Sequence, residues 1–214
     1  NKNTKFFDIF SKSKNINFLS AARVFLFGAR DVWFVVSLPI FFYSIFSDGT
    51  VESNQKAFYI IGGFMSTWII LYGIIQANTP KLFLRKNNEK INLVEIGKRW
   101  NIFLFLNLLF LTVFILIFNK LILVKIVLFL GLFIYCGIFA INSSIHSYLI
   151  LRFSNKNRVS LDVGFYYMAN ATGRLIGTFL SGLTYQLGGL ALSLTTASFM
   201  IGVCLCFTHL LKES

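Results

Sequence analysis

The chain has 214 residues, 56% of them hydrophobic and only 13% charged, about half the charged share of a soluble globular protein. Its 26 Phe, 2 Pro and mean hydropathy of +0.72 mark a polytopic membrane protein rather than a soluble enzyme. A net charge of +12 would suit nucleic acid, so the positions of the basic residues have to decide what it means.

The opening stretch, residues 1–17, is polar and basic and lacks the small-residue cleavage site of a signal peptide. It is expected to be a cytoplasmic segment, the end of a central loop in a longer chain. A bilayer-spanning helix needs about 20 mostly apolar residues. Six segments qualify in chain order: Phe18–Phe46, Ala57–Asn78, Trp100–Phe118, Leu123–Ile150, Leu161–Gln186 and Leu190–Leu211. The third and fourth are joined by a short turn, and the fifth and sixth by the breaker Gly188-Gly189. The expected fold is therefore an all-α, six-helix transmembrane bundle over 18–211, with 212–214 as a tail.

Of the 20 Lys and Arg, fourteen fall on one side of these spans and three (Lys56, Lys120 and Lys125) on the other. Such a bias predicts that both termini are cytoplasmic. The basic excess is then orientation, and nucleic acid drops out as a partner.

The first expected helix carries Arg23, Arg30 and Asp31. Arg23 and Arg30 are seven residues apart and share a face, with Arg23 close enough to the cytoplasmic end to snorkel. Asp31 points roughly 100° away from Arg30, and is placed either to neutralise an Arg on another helix or to carry a proton. The third and sixth helices hold no charge before their ends and are expected to face lipid. On the fourth, Tyr135, Asn142 and His146 fall roughly on one face, and on the second Trp68, Tyr72 and Gln76 align. Asp31, Asp162 and His146 are the proton-coupling candidates. Asp162 also suits a helix start, and His146 also suits a structural hydrogen bond.

The fifth helix is the most informative. Ala169, Gly173, Gly177 and Ser181 form a small-residue stripe of the kind that lets another backbone approach closely. One position further on, Tyr166, Asn170, Arg174 and Thr178 form a polar stripe. Ionisable residues at bilayer depth are costly and mark function by default. The fifth helix therefore suits a wall between a helix interface and a cavity with Arg174 functional there, and retention of Arg174 by carbonyls or a structural Asp is the alternative. Cys136, Cys204 and Cys206 lie inside apolar spans with no ligand-like spacing, so neither a disulfide framework nor a metal site is indicated. No cofactor is expected.

Polar helices at positions one, four and five of six are the pattern of one half of a major facilitator superfamily transporter, a fold made of two such halves. Three stretches are more specific: "SAARVFLFGARDVWFVVSLPIF" (20–41), "YGIIQANTP" (72–80) and "VSLDVGFYYMANATGRLIGTFLSGLTYQLGGL" (159–190). They resemble the organoarsenical efflux permease of bacterial arsenic operons, the ArsJ type. The resemblance covers most of the chain, although the third and fourth helices are only generically apolar. It departs from the general superfamily at the loop after the second helix, where Thr79-Pro80-Lys81 stands in place of the usual Gly, Asp-Arg, Gly-Arg signature. It implies a multi-pass protein of the bacterial inner membrane, supplying the C-terminal half of a carrier whose N-terminal half precedes it. The implied activity is export of 1-arseno-3-phosphoglycerate, made by a partner glyceraldehyde-3-phosphate dehydrogenase.

Arg suits such a solute, because its planar fork of donors binds oxyanions in bidentate fashion. Arg30, Arg174, Asn170, Tyr166 and Arg23 are the substrate-binding candidates. A carrier for another organic anion, a sugar phosphate or a drug stays open. A non-transporting scaffold and an intramembrane enzyme are the readings of other classes. The enzyme reading lacks a grouped acid, base and nucleophile.

Overall fold

The computed structural model describes residues 13–83, 92–118 and 121–213, apart from the side chains at positions 82, 83 and 121. The expected segment 1–17 lies mostly outside these residues, as do Arg85, Lys86, Lys90 and Lys120. Among the described residues every regular element is helical: α1 (Lys14–Phe34), α2 (Ser37–Phe46), α3 (Val51–Phe83), α4 (Leu93–Ile117), α5 (Leu121–Phe153) and α6 (Val159–His209). Five helices, counting α1 and α2 as one, are long and apolar enough to cross a membrane.

The helix expected as one piece over Phe18–Phe46 is broken at Val35-Val36. Pro39 explains the break, since it has no N–H to give to Val35 and its ring crowds that carbonyl. The backbone groups freed there do not go unpaired. The Val36 and Ser37 N–H groups both donate to Ser181 Oγ at 3.1 Å, while Ser37 Oγ lies 3.0 Å from the Val32 carbonyl. Ser193 Oγ and Thr184 Oγ1 extend this buried hydroxyl cluster. A side chain of α6 thus caps a break in the α1–α2 unit.

The 51 residues of α6 do not form one rod. Gly188 (φ −158, ψ 24) and Gly189 (φ 62, ψ −160) leave helical geometry, and Gly189 occupies the left-handed half of backbone space, which glycine tolerates without strain. In a straight helix residues 173 and 200 would lie about 40 Å apart. Instead a Cβ at Gly28 would meet both the Gly173 carbonyl at 3.0 Å and Met200 Cε at 2.4 Å. The 159–187 and 190–209 arms therefore lie side by side against α1.

The main core joins Leu26, Val32 and Trp33 of α1 to Phe64 and Trp68 of α3, Leu104 and Leu108 of α4, and Tyr135 and Phe139 of α5. A second core at one end of the bundle gathers Ile16, Leu19, Leu93, Val94, Leu149, Tyr166 and Leu211. Asn15 and Lys212 exchange two hydrogen bonds at that end, at 2.8 and 3.2 Å. The start of α1 and the end of α6 therefore emerge together.

Burial is uneven. Along the 159–187 arm only Asp162, Tyr166, Ala169, Gly173, Gly177, Ser181 and Thr184 are buried, a single stripe at three- and four-residue spacing. On α3 the buried positions are few, running through Ala57, Ile61, Phe64 and Trp68 to Thr79. The 190–209 arm, expected to face lipid, is more covered. It packs on α1 through Phe25 and Phe207 and on α4 through Asn101 and Thr208.

Candidate functional site

Close backbone contact between α1 and the 159–187 arm creates the site. A Cβ at Gly173 would sit 2.2 Å from the Val24 carbonyl oxygen, and one at Gly177 would sit 2.4 Å from that of Gly28. Real side-chain carbons do not approach backbone this closely, so only glycine permits the crossing. The result is that polar groups one position off this contact line meet across the interface.

Asp31 is the hub. Its side chain is 1% exposed and is gripped from two helices. Arg30 directs Nη2 and Nε at one carboxylate oxygen, at 2.6 and 2.7 Å, and Arg174 Nε reaches the other at 3.2 Å. The three guanidinium and carboxylate groups form a graded series. Arg174 is 58% exposed, Arg30 12%, and Asp31 lies beneath both. Two cations on one anion leave an unneutralised positive charge at the mouth.

Two turns along α1, Arg23 makes a different environment. It is 4% exposed and lies over the faces of Phe27 and Tyr166, with its guanidinium carbon 3.9 and 4.9 Å from their ring centroids. Nε donates to Asn170 Oδ1 at 3.0 Å, and Nη1 reaches the Ser143 carbonyl and hydroxyl at 3.2 and 3.1 Å. Tyr72 joins through its hydroxyl, 3.2 Å from Ser143 Oγ. No ion pair among the described residues includes Arg23. Removing a charge from water costs several kcal/mol, which the carbonyl, the amide and two ring faces offset only in part.

Phe27 links the two ends. The Arg30 guanidinium carbon also lies 4.9 Å from its centroid, and 5.4 Å from that of Phe139. Arg23, Phe27 and Arg30 follow one another at four- and three-residue spacing, which stacks them on one helix face.

The structure brings together Arg30, Asp31 and Arg174 at one end, and Arg23, Asn170 and Tyr166 at the other. Arg23 turns into the bundle rather than snorkelling outward, because Asn170, Ser143 and two aromatic faces hold it there. Two of the proton-coupling candidates, Asp31 and Asp162, are not brought together. Asp162 precedes Gly177, the neighbour of Asp31, by 15 residues on a straight arm, which is about 22 Å. It is 2% exposed, and its Oδ1 has no hydrogen-bond partner. His146 is fully buried, and neither of its ring nitrogens has a partner. Ala169 and Ser181 lie on the buried stripe, with Ser181 capping the α1–α2 break.

Reasoning from sequence missed Ser143 and Phe27. Ser143 sits one position past Asn142, so no stripe drawn through Tyr135, Asn142 and His146 included it. Phe27 was legible from its spacing between the two Arg, but among 26 Phe it carried no distinguishing mark. Cys136 and Cys204 are buried and Cys206 is exposed on a different helix face. Among the described residues no group of three or more His, Cys, Asp and Glu is arranged to hold a metal ion. No family model matches the chain, and neither a curated protein nor a solved structure matches it.

Proposed function

We propose that this chain is a six-crossing half of a major facilitator carrier, and that its Arg-lined face binds an oxyanionic solute during alternating access. The observation that carries this reading is the excess of Arg over carboxylate along one helix crossing among the described residues: Arg23, Arg30 and Arg174 against Asp31, with Asp162 buried further along the same arm. A structural ion pair would balance its charges. A surplus of guanidinium inside apolar helices is stabilised when an anion completes it.

The two arms of α6 supply the fifth and sixth crossings, separated by the Gly188-Gly189 bend. In this reading both ends lie in the cytoplasm of a bacterial inner membrane, which the basic bias of the loops supports. The face bearing Arg174 is left open by the described residues, although a cation at that depth does not belong in lipid. A second, N-terminal half of the same carrier is the partner that fits it, and the solute would bind between the halves.

The geometry favours phosphate-, carboxylate- or arsenate-bearing solutes as a class. The resemblance to ArsJ-type permeases narrows this to 1-arseno-3-phosphoglycerate, exported after its synthesis by glyceraldehyde-3-phosphate dehydrogenase. The test is transport into everted vesicles from cells expressing the native gene product. The arsenate ester should accumulate and 3-phosphoglycerate should compete, whereas neutral sugars and cationic drugs should do neither. Uptake of cationic drugs without anion transport would reject the proposal.

A further inference from the structure

Asp31 has no evident place in an anion site, since a fixed carboxylate repels the solute that the guanidinium groups attract. Its geometry suggests a purpose. Both of its oxygens are occupied by the two Arg that an arriving anion would use, through the contacts at 2.6 Å to Arg30 and 3.2 Å to Arg174. The order of exposure runs from Arg174 to Arg30 to Asp31, so a solute entering from the open face meets the cations before the carboxylate.

We infer that Asp31 is a tethered counter-anion: it occupies Arg30 and Arg174 when the carrier is empty, and an oxyanionic solute displaces it from them. This rests on the anion-carrier reading above. Exchange of one anion for another at the same forks has a physical advantage. An empty site holding two uncompensated guanidinium groups would carry a large desolvation cost whenever the halves closed over it. With Asp31 in place one of those two charges is compensated, which lowers the cost of closing the empty carrier. The displacement also sets specificity. A solute must offer better bidentate geometry than a carboxylate already present at very high effective concentration, which favours phosphate- and arsenate-type heads over lone carboxylates.

The test uses the native full-length gene product in detergent, with 3-phosphoglycerate and inorganic phosphate as probes. Asp31→Asn removes the competing charge while keeping the side-chain shape. It should tighten binding of 3-phosphoglycerate by about tenfold and slow its exchange across proteoliposomes. Asp31→Glu, which restores a competing carboxylate, should bind within a few-fold of the parent. A second measurement needs no variant. On the parent protein, 3-phosphoglycerate should increase labelling of Asp31 by a hydrophobic carbodiimide several-fold, because the carboxylate is released from its cations. Unchanged or weaker binding by a folded Asp31→Asn protein would make Asp31 a structural brace and overturn the inference, leaving the carrier reading intact. Carbodiimide labelling that falls or stays level would do the same. Absence of binding of either probe by the parent protein would instead overturn the carrier reading, and the inference with it.

Discussion

Gly177→Ala isolates the contact on which the whole site depends. The added methyl would lie 2.4 Å from the Gly28 carbonyl oxygen, 2.9 Å from Gly28 Cα and 3.0 Å from Asp31 Cβ. The first two are α1 backbone and cannot rotate away. Restoring ordinary contact requires α1 and the 159–187 arm to separate by about 1 Å, which sacrifices dispersion along the crossing. Overpacking of this kind costs about 1–3 kcal/mol. The helix-propensity gain of Ala over Gly, roughly 0.5–1 kcal/mol, opposes it only in part. Gly164→Ala is the matched control, since a Cβ there meets nothing within 4 Å. Thermal unfolding in detergent, followed by loss of the monodisperse elution peak, should show Gly177→Ala several degrees below the parent and Gly164→Ala at or above it. The separation should also weaken the Arg174–Asp31 pair, since Arg174 is one turn from Gly177. Equal midpoints for Gly177→Ala and the parent would refute the close crossing.

Ser181→Ala removes the acceptor of both the Val36 and Ser37 N–H groups. A buried donor left unsatisfied costs about 1–3 kcal/mol, so its melting midpoint should fall by several degrees, and an unchanged midpoint would mean that the break is capped otherwise. Asp48, in the turn before α3, is held well below the usual carboxylate range, at about 2, by hydrogen bonds from the Ser53 hydroxyl and then from Thr50. A depressed value stabilises the turn above the ordinary carboxyl range near 3.8, and that contribution is lost as pH falls through about 2. Amide protection at Thr50, corrected for intrinsic exchange, should therefore drop over that window, and in Asp48→Asn it should be low and flat. On a background lacking Cys136, Cys204 and Cys206, a cysteine replacing Asp48 should react with an impermeant reagent from outside the cell and one replacing Asn155 should not. The opposite pattern would invert the topology.

The sequence makes helix length and the last bend legible for simple reasons. Apolar runs of bilayer length need no long-range information, and Gly188-Gly189 is a local signal that the chain leaves helical geometry. The bundle's interior was less accessible. Pro39 signals a break, yet whether a helix kinks or stops depends on what receives its freed N–H groups, and here that is Ser181 from 144 residues away. The ion-pair hub was half legible. Asp31 was free to pair with an Arg on another helix, but its simultaneous hold on adjacent Arg30 depends on rotamers that sequence spacing does not reveal. From its place near a helix end, Arg23 could snorkel or join the binding candidates. It turns inward because Ser143, Asn170 and Tyr166 converge on it from two other helices, a coincidence of three elements that no single stripe encodes.

Transport by Arg174→Lys tests the anion-carrier account most directly. Lys keeps the charge but loses the planar fork, and one lost charge-assisted hydrogen bond of about 1.5–3 kcal/mol corresponds to roughly ten- to a hundredfold in affinity. Uptake of the arsenate ester into everted vesicles, normalised to protein amount, should fall by at least tenfold in Arg174→Lys and no less in Arg174→Ala, with both variants expressed and folded. Undiminished export by a well-expressed Arg174→Lys protein would contradict the account and remove Arg174 from the binding site.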